Sequence, residues 1–157
     1  MLGFFFPEQA RQGEIPHATS GRNWLLRLGH YKLHCPKEPA DDRVWLAEHA
    51  VQIGKHRFLG IVGVRLAHFP PEGECLEMRH LEPIAVLPVE ASSQEIVYQQ
   101  LEETAKQHGV PRAILSDEGS DLSGGANRFC DAHPETTWVS DMPHKAARLL
   151  KRRYGTN

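Results

Sequence analysis

The stretch that decides the fold runs from Ser92 to Leu122 and reads SSQEIVYQQLEETAKQHGVPRAILSDEGSDL. Its first half predicts an amphipathic helix, because apolar residues recur at helical spacing between Val97 and Ala105 and Gly109 then ends the pattern. Its second half predicts a short buried strand over Arg112–Ser116, which runs straight into an acidic loop. A helix that leads into such a strand indicates a parallel sheet, since parallel strands need a crossover connection.

The segments on either side of this stretch extend the same sheet. Three strand-like segments precede it, and Pro83 and Pro88 push the third toward a sheet edge, because proline cannot donate to a strand ladder. A short helix, a fifth strand and a last helix follow it. The predicted order β-β-β-α-β-α-β-α closes as a mixed five-stranded α/β sheet flanked by helices. The segments outside the stretch are Arg43–Val51, His56–Phe69, Glu82–Glu90, Leu122–Cys130, Thr136–Ser140 and Met142–Arg153.

Small and polar residues mark where we expect helices to begin and end. Ser92 and Glu95 fit the capping-box pattern at the start of the long helix. Near the N-terminus, GRNWLLRLGHYKL (residues 21–33) has helical spacing, and Gly29 is the expected stop. Ser123–Gly125, with the sequence SGG, is expected to open a helix, where its backbone amides would be able to cradle a phosphate. Without a P-loop lysine, this segment does not indicate nucleotide binding.

Length and composition indicate one main domain. The chain has 157 residues and a formal net charge of −2, which neither favours nor excludes a polyanionic partner. Residues 1–40 are rich in proline and glycine and are expected to form an appendage and linker, with the main domain at 41–157. No run of 18 apolar residues is present, so no membrane span is expected. Three widely separated cysteines fit a reducing compartment better than a disulfide framework.

Three carboxylates are placed so that the predicted sheet would bring them together. Asp117 and Asp141 directly follow the fourth and fifth strands, and Glu48 lies on the first. Ligands collect at the carboxyl ends of parallel strands, and converging carboxylate oxygens suit Mg²⁺ or Mn²⁺. The alternative is that Asp117, Glu118 and Asp121 form a solvated turn that caps the next helix. In that loop we expect Glu118 to face solvent and Asp121 to help start the helix.

The C-terminal residues are strongly basic. From His144 onward the chain has no acidic side chain, and Lys145, Arg148 and Arg152 recur at a spacing of three and four residues. On a helix these cations share one face, which would grip nucleic-acid phosphates. The alternative is an ordinary solvated face whose cations complement the helix dipole.

Three strings carry a resemblance to a known family. They are WLAEHAVQIGKHRFLGIVGVRL (residues 45–66), GVPRAILSDEGSDLSGGANRF (109–129) and HPETTWVSDMPHKAARLLKRR (133–153). Together they resemble the RNase H-like catalytic core of bacterial insertion-sequence transposases, within the DDE transposase and retroviral integrase superfamily. The resemblance covers Asp41–Tyr154. In addition, IPHATSGRNWLLRLGHYKL (15–33) is similar to the end of the helix-turn-helix segment that precedes this core.

The resemblance implies a site, a cofactor and partners. The family's first and second catalytic Asp positions fall on Glu48 and Asp117, and Asp141 is the nearest candidate for its third acidic residue. It further implies Mg²⁺ or Mn²⁺ as cofactor, transposon-end and target DNA as partners, a possible homo-oligomer, no membrane, and a place in the bacterial cytoplasm at the nucleoid. The residues that it implies for DNA binding are His144, Lys145, Arg148, Lys151, Arg152, Arg22 and Arg27.

The sequence also departs from the family pattern. Glu48 is one methylene longer than the expected Asp, and many members use a Glu on a later helix where this chain has no acid after Asp141. We therefore expect a truncated or degenerate transposase. Three functions stay open: an impaired metal-dependent DNA-cleaving and strand-transfer enzyme, an inactive remnant that binds DNA or another protein, and a structural α/β domain whose acids cap helices.

Overall fold

The computed structural model describes residues 17–38, 40–53, 56–71, 74–89 and 92–141. Contacts divide the chain into two compact units, Met1–Cys35 and Pro36–Asn157. In the described part of the chain, no helix is long and apolar enough to cross a membrane. The last predicted helix, Met142–Arg153, lies outside the described residues.

The first unit contains one described helix, α1, which spans Ala18–His34. The expected stop at Gly29 is wrong, because the helix runs through this residue. Glycine costs only about 1 kcal/mol inside a helix, which does not suffice to end it here. The helix ends instead at Cys35, which has an extended conformation (φ −65°, ψ 145°). The next residue is Pro36, and a residue that precedes proline is disfavoured in the helical region.

The second unit is built on a mixed five-stranded sheet, as predicted. Its strands lie in the order β3-β2-β1-β4-β5. The pairs β1–β2 and β2–β3 are antiparallel, whereas β1–β4 and β4–β5 are parallel. The strand β3 occupies an edge, as its two prolines predict. The strands are β1 (Arg43–Ile53), β2 (His56–Arg65), β3 (Glu82–Val89), β4 (Ala113–Ser116) and β5 (Thr137–Ser140).

Two helices pack against one face of the sheet and form the core together with the strands. The helix α2 spans Gln94–His108 and α3 spans Ser120–Ala132. Ser93, not the expected Ser92, is the N-cap of α2, and its hydroxyl accepts a hydrogen bond from the Ile96 amide. The core contains Trp45, Ala47, Leu59, Ile61, Ile84, Val89, Val97, Leu101, Ala105, Ile114, Leu122, Ala126 and Phe129.

Two glycines let α2 and α3 pack closely together. Gly124 and Gly125 lie inside α3 rather than at its opening, so the expected phosphate cradle is wrong. A Cβ atom on Gly125 would lie 2.5 Å from Cγ1 of buried Val97, and one on Gly124 would collide with the side chain of Gln94. The SGG segment therefore serves helix packing.

A buried arginine joins three parts of the second unit. The Arg43 side chain is 2% exposed and donates to the backbone oxygens of Glu38 (2.7 Å) and His108 (3.0 Å). It also forms an ion pair with Glu82 at 3.1 Å. Because His108 is the last residue of α2, this arginine satisfies a carbonyl that the helix itself leaves unpaired.

Candidate active site at the carboxyl edge of the sheet

The register of the parallel strands brings the three predicted carboxylates to one level. Ala47 of β1 pairs with Ser116 of β4, which pairs with Ser140 of β5. The residues that follow them are Glu48, Asp117 and Asp141. Neighbouring strands lie about 4.8 Å apart, so each of these residues starts from a backbone position close to the next. The Asp141 amide donates to the Ser116 carbonyl at 2.9 Å and thereby holds β5 against the end of β4.

The alternation of side chains along β1 places Glu48 on the sheet face away from α2 and α3. Ala47 is buried in the core, and Glu48, which follows it, is exposed on the opposite face. Asp117 and Asp141 each lie one residue beyond the end of their strand, where this alternation no longer fixes the face.

The side chains at this edge are not gathered around a single point. Among the described residues, no group of three or more His, Cys, Asp or Glu side chains is placed to hold a metal ion. One carboxylate oxygen of Asp117 accepts a hydrogen bond from the Gly119 amide at 3.0 Å. The assignment of Glu48, Asp117 and Asp141 as metal ligands therefore stays a prediction.

Glu118 does not face solvent as expected. Its side chain is half-buried, and its Oε1 atom accepts a hydrogen bond from the Ser140 hydroxyl at 3.0 Å. The loop after β4 therefore contacts the end of β5. This contact lies between residues 22 positions apart, and local sequence patterns do not report such a pairing.

Asp121 lies in the first turn of α3, but Gly119 is the N-cap of this helix, and Asp121 makes further contacts that the sequence does not predict. Its Oδ1 atom accepts from the Leu122 amide at 3.0 Å, and its Oδ2 atom accepts from the Ser92 hydroxyl. The Nδ1 atom of His49 lies 3.6 Å from the same Oδ2. Burial raises the pKa of the Asp121 carboxyl, but the hydrogen bonds from Ser92 and Leu122 outweigh burial, and the pKa is lowered overall.

The Ser92, His49 and Asp121 side chains do not form a nucleophilic triad. In such a triad the histidine takes the proton of the serine hydroxyl. Here Ser92 donates directly to Asp121, while its Oγ atom lies 3.5 Å from Nε2 of His49. The imidazole is therefore not placed to activate the hydroxyl. In the sequence, this cluster is indicated by His49, a histidine that the strand alternation places on the core side of β1.

The predicted DNA-binding residues fall in two places. Arg22 and Arg27 are exposed on α1, a helix that carries no acidic residue. The others lie outside the described residues, namely His144, Lys145, Arg148, Lys151 and Arg152.

Comparisons with known proteins find distant structural likeness. No protein-family model and no curated protein matches the sequence. The HTLV-2 integrase catalytic core domain in complex with magnesium is similar in its trimeric form (12% identity, TM-score 0.43, 74% of this chain and 71% of that chain). It is also similar in its dimeric form (13%, 0.43, 74% and 74%). The simian T-cell lymphotropic virus intasome in complex with the PP2A regulatory subunit B56 gamma aligns at 11% identity (TM-score 0.45), over 74% of this chain and 41% of that chain.

The fold assignment rests on the chain's own elements. Three antiparallel strands are followed by two parallel strands, with a helix before each of these, in the spatial order β3-β2-β1-β4-β5. This is a mixed α/β fold of the RNase H-like kind.

Proposed function

We propose that this chain is the catalytic core of a DDE-type transposase of the bacterial insertion-sequence kind. Such a core cleaves DNA phosphodiesters and transfers a 3′-hydroxyl end to target DNA. The observation that carries the proposal is that Glu48 on β1 is level with Asp117 and Asp141, which directly follow the ends of the adjacent parallel strands β4 and β5. The DEGSDL and DMPHKAARLLK strings support the same family.

The chemistry of the three side chains suits a hard divalent cation. Glu48, Asp117 and Asp141 would supply carboxylate oxygens, which Mg²⁺ and Mn²⁺ prefer over nitrogen or sulfur ligands. The bound ion would activate a water or a 3′-hydroxyl for attack on a phosphodiester. Within the protein, the Gly119 amide orients the Asp117 carboxylate by its hydrogen bond to Oδ1.

We expect this activity to be weak because of the residue at position 48. Glu48 places its carboxylate one methylene further from the backbone than Asp does. A misplacement of about 1 Å at a reacting centre costs about 100-fold in rate. The same feature favours the alternative function, an inactive remnant that binds DNA or pairs with an intact transposase.

DNA would be bound by basic residues that precede and follow the core in the sequence. Arg22 and Arg27 on α1 are exposed, and α1 carries no acidic residue to offset their charge. The basic segment 144–152 would add further phosphate contacts. Binding of this kind weakens steeply with salt, since each neutralised phosphate releases counterions. A second copy of the chain is the expected oligomeric partner.

A nicking assay on supercoiled plasmid tests the proposal. We expect slow Mn²⁺-dependent nicking that Asp117→Asn abolishes and that Glu48→Asp accelerates. Asp131→Asn is the matched control, because Asp131 is an exposed acid near the other end of α3. Nicking that survives Asp117→Asn would contradict the site. DNA binding with no nicking in any variant would support the remnant.

A further inference from the structure

The Asp121 carboxylate is held from three directions. Its Oδ1 atom accepts from the Leu122 amide within α3, while Oδ2 accepts from Ser92 in the loop before α2 and faces His49 on β1. The His49 and Asp121 side chains are 14% and 24% exposed. An aspartate that only started a helix would need the backbone contact alone. The Oδ2 atom of Asp121 therefore makes tertiary contacts beyond its own helix.

Asp121 is also linked to Asp117 through Gly119. The Gly119 amide donates to Oδ1 of Asp117 at 3.0 Å, and its carbonyl accepts from the Ser123 amide (2.8 Å) and hydroxyl (2.9 Å) in α3. A Cβ atom on Gly119 would lie 3.0 Å from Oδ1 of Asp117 and 3.2 Å from Oδ1 of Asp121. The two carboxylates thus flank the same peptide. Any shift of the first turn of α3 moves the donor that orients Asp117.

A second contact ties the same turn to α2. The side-chain amide of Gln94 donates to the Ser120 carbonyl at 3.1 Å. The segment that precedes α2 and the segment that opens α3 are therefore joined by Ser92–Asp121 and Gln94–Ser120. The Ser92–Asp121 contact is better shielded from water than the Gln94–Ser120 contact, because Gln94 is exposed.

We infer that Asp121 is a positioning residue, clamped by Ser92 and His49, that fixes the orientation of the Asp117 carboxylate through Gly119. The inference rests on the proposed function for the role of Asp117 as a metal ligand. Residues that orient a ligand in this way typically contribute 10–100-fold to metal affinity. The clamp itself is a property of the protein alone and is measurable without metal.

The test uses two neighbouring serines with different contacts. Ser92→Ala removes the hydroxyl that binds Asp121, and Ser92→Thr keeps one. Ser93→Ala is the matched control, because Ser93 only caps α2. Mn²⁺ affinity is measured by calorimetry, and exchange of the Gly119 amide hydrogen is measured by NMR. We expect Ser92→Ala to weaken Mn²⁺ binding 10–100-fold and to speed Gly119 exchange, while Ser92→Thr and Ser93→Ala retain the wild-type Mn²⁺ affinity.

The two readouts separate this inference from the proposed function. If the wild type binds no Mn²⁺, the metal part of the proposed function fails and amide exchange alone decides. Faster exchange at Gly119 in Ser92→Ala than in Ser93→Ala would then support the clamp. Equal exchange at Gly119 in the two variants would overturn it. Where the wild type does bind Mn²⁺, an unchanged affinity in Ser92→Ala would overturn it as well.

Discussion

Replacement of Gly125 by alanine tests how α3 is positioned beneath the carboxylate edge. The new Cβ atom would lie 2.5 Å from Cγ1 of Val97 and 3.0 Å from the Gln94 backbone oxygen. Val97 is fully buried and β-branched, so its side chain has almost no other rotamer inside a helix. The two helices must therefore move apart. Such overpacking costs 1–3 kcal/mol, whereas alanine gains about 1 kcal/mol over glycine in helix propensity.

Because both a backbone oxygen and a buried side chain resist the shift, we place the overpacking cost in the upper part of its range, at about 2–3 kcal/mol. Less the gain of about 1 kcal/mol in helix propensity, Gly125→Ala should lower the free energy of unfolding by about 1–2 kcal/mol. Gly124→Ala is the matched control in the same helix. The three atoms nearest to its Cβ atom all belong to the Gln94 side chain, which is exposed and is able to turn away if it gives up its hydrogen bond to Ser120. We expect this variant to stay within about 0.5 kcal/mol of the wild type, because the gain in helix propensity offsets the lost contact with Ser120.

Urea unfolding followed by circular dichroism measures both variants, with the midpoint compared at constant slope. The reasoning is refuted if Gly125→Ala is as stable as the wild type. It is also refuted if Gly124→Ala loses more stability than Gly125→Ala, because the packing of α2 on α3 would then depend on Gly124 rather than on the buried Gly125.

Two further predictions concern the polar side chains of Arg43 and His108. Arg43→Ala should lower the unfolding free energy by about 3 kcal/mol, because it leaves Glu82 and two part-buried backbone oxygens without their donor. Arg43→Met removes the same polar contacts but keeps most of the side-chain volume, so it should lose less. An Arg43→Met variant as stable as the wild type in urea unfolding would show that the polar contacts contribute nothing. His108 has a lowered pKa, caused first by burial and then by Lys37 and Arg43. Because the unfolded state then binds the proton more readily, the wild type should lose stability as pH falls below about 6.5. His108→Gln should lose less between pH 7.5 and 5.5, and an equal loss would contradict this account.

The order of elements was predictable because each is encoded by a local pattern. The α2 helix has an apolar stripe at helical spacing, and Gly109, its C-cap, has φ +85°, which suits glycine. The two prolines of β3 predict its place at an edge. Once the strands are ordered, Asp117 and Asp141 follow as the residues beyond two parallel strand ends. Glu48 is level with them because β1 pairs with β4, a contact between distant segments that the local patterns do not set.

The misplaced features depend on contacts between distant parts of the chain. The local pattern favours Ser92 as the cap, because Glu95 lies three residues after it, yet Ser93 caps α2 and the Ser92 hydroxyl donates to Asp121 on α3. In the same way, the local sequence predicts that Gly124 and Gly125 open a helix, whereas in the fold they lie inside α3 and pack against α2. The local sequence predicts a solvated Glu118, whereas β5 brings the Ser140 hydroxyl close enough to donate to it. Each error has the same cause, since a short polar or small residue has several local roles and tertiary contacts select one.

The central claim is that Glu48, Asp117 and Asp141 form one divalent-cation site. Mn²⁺ titration by calorimetry of the wild type, Glu48→Asp and Asp117→Asn tests it most directly. The account predicts weak binding in the wild type, tighter binding in Glu48→Asp, whose shorter side chain matches the family pattern, and no binding in Asp117→Asn. Mn²⁺ binding that is unchanged in Asp117→Asn, or weaker in Glu48→Asp than in the wild type, would contradict the claim.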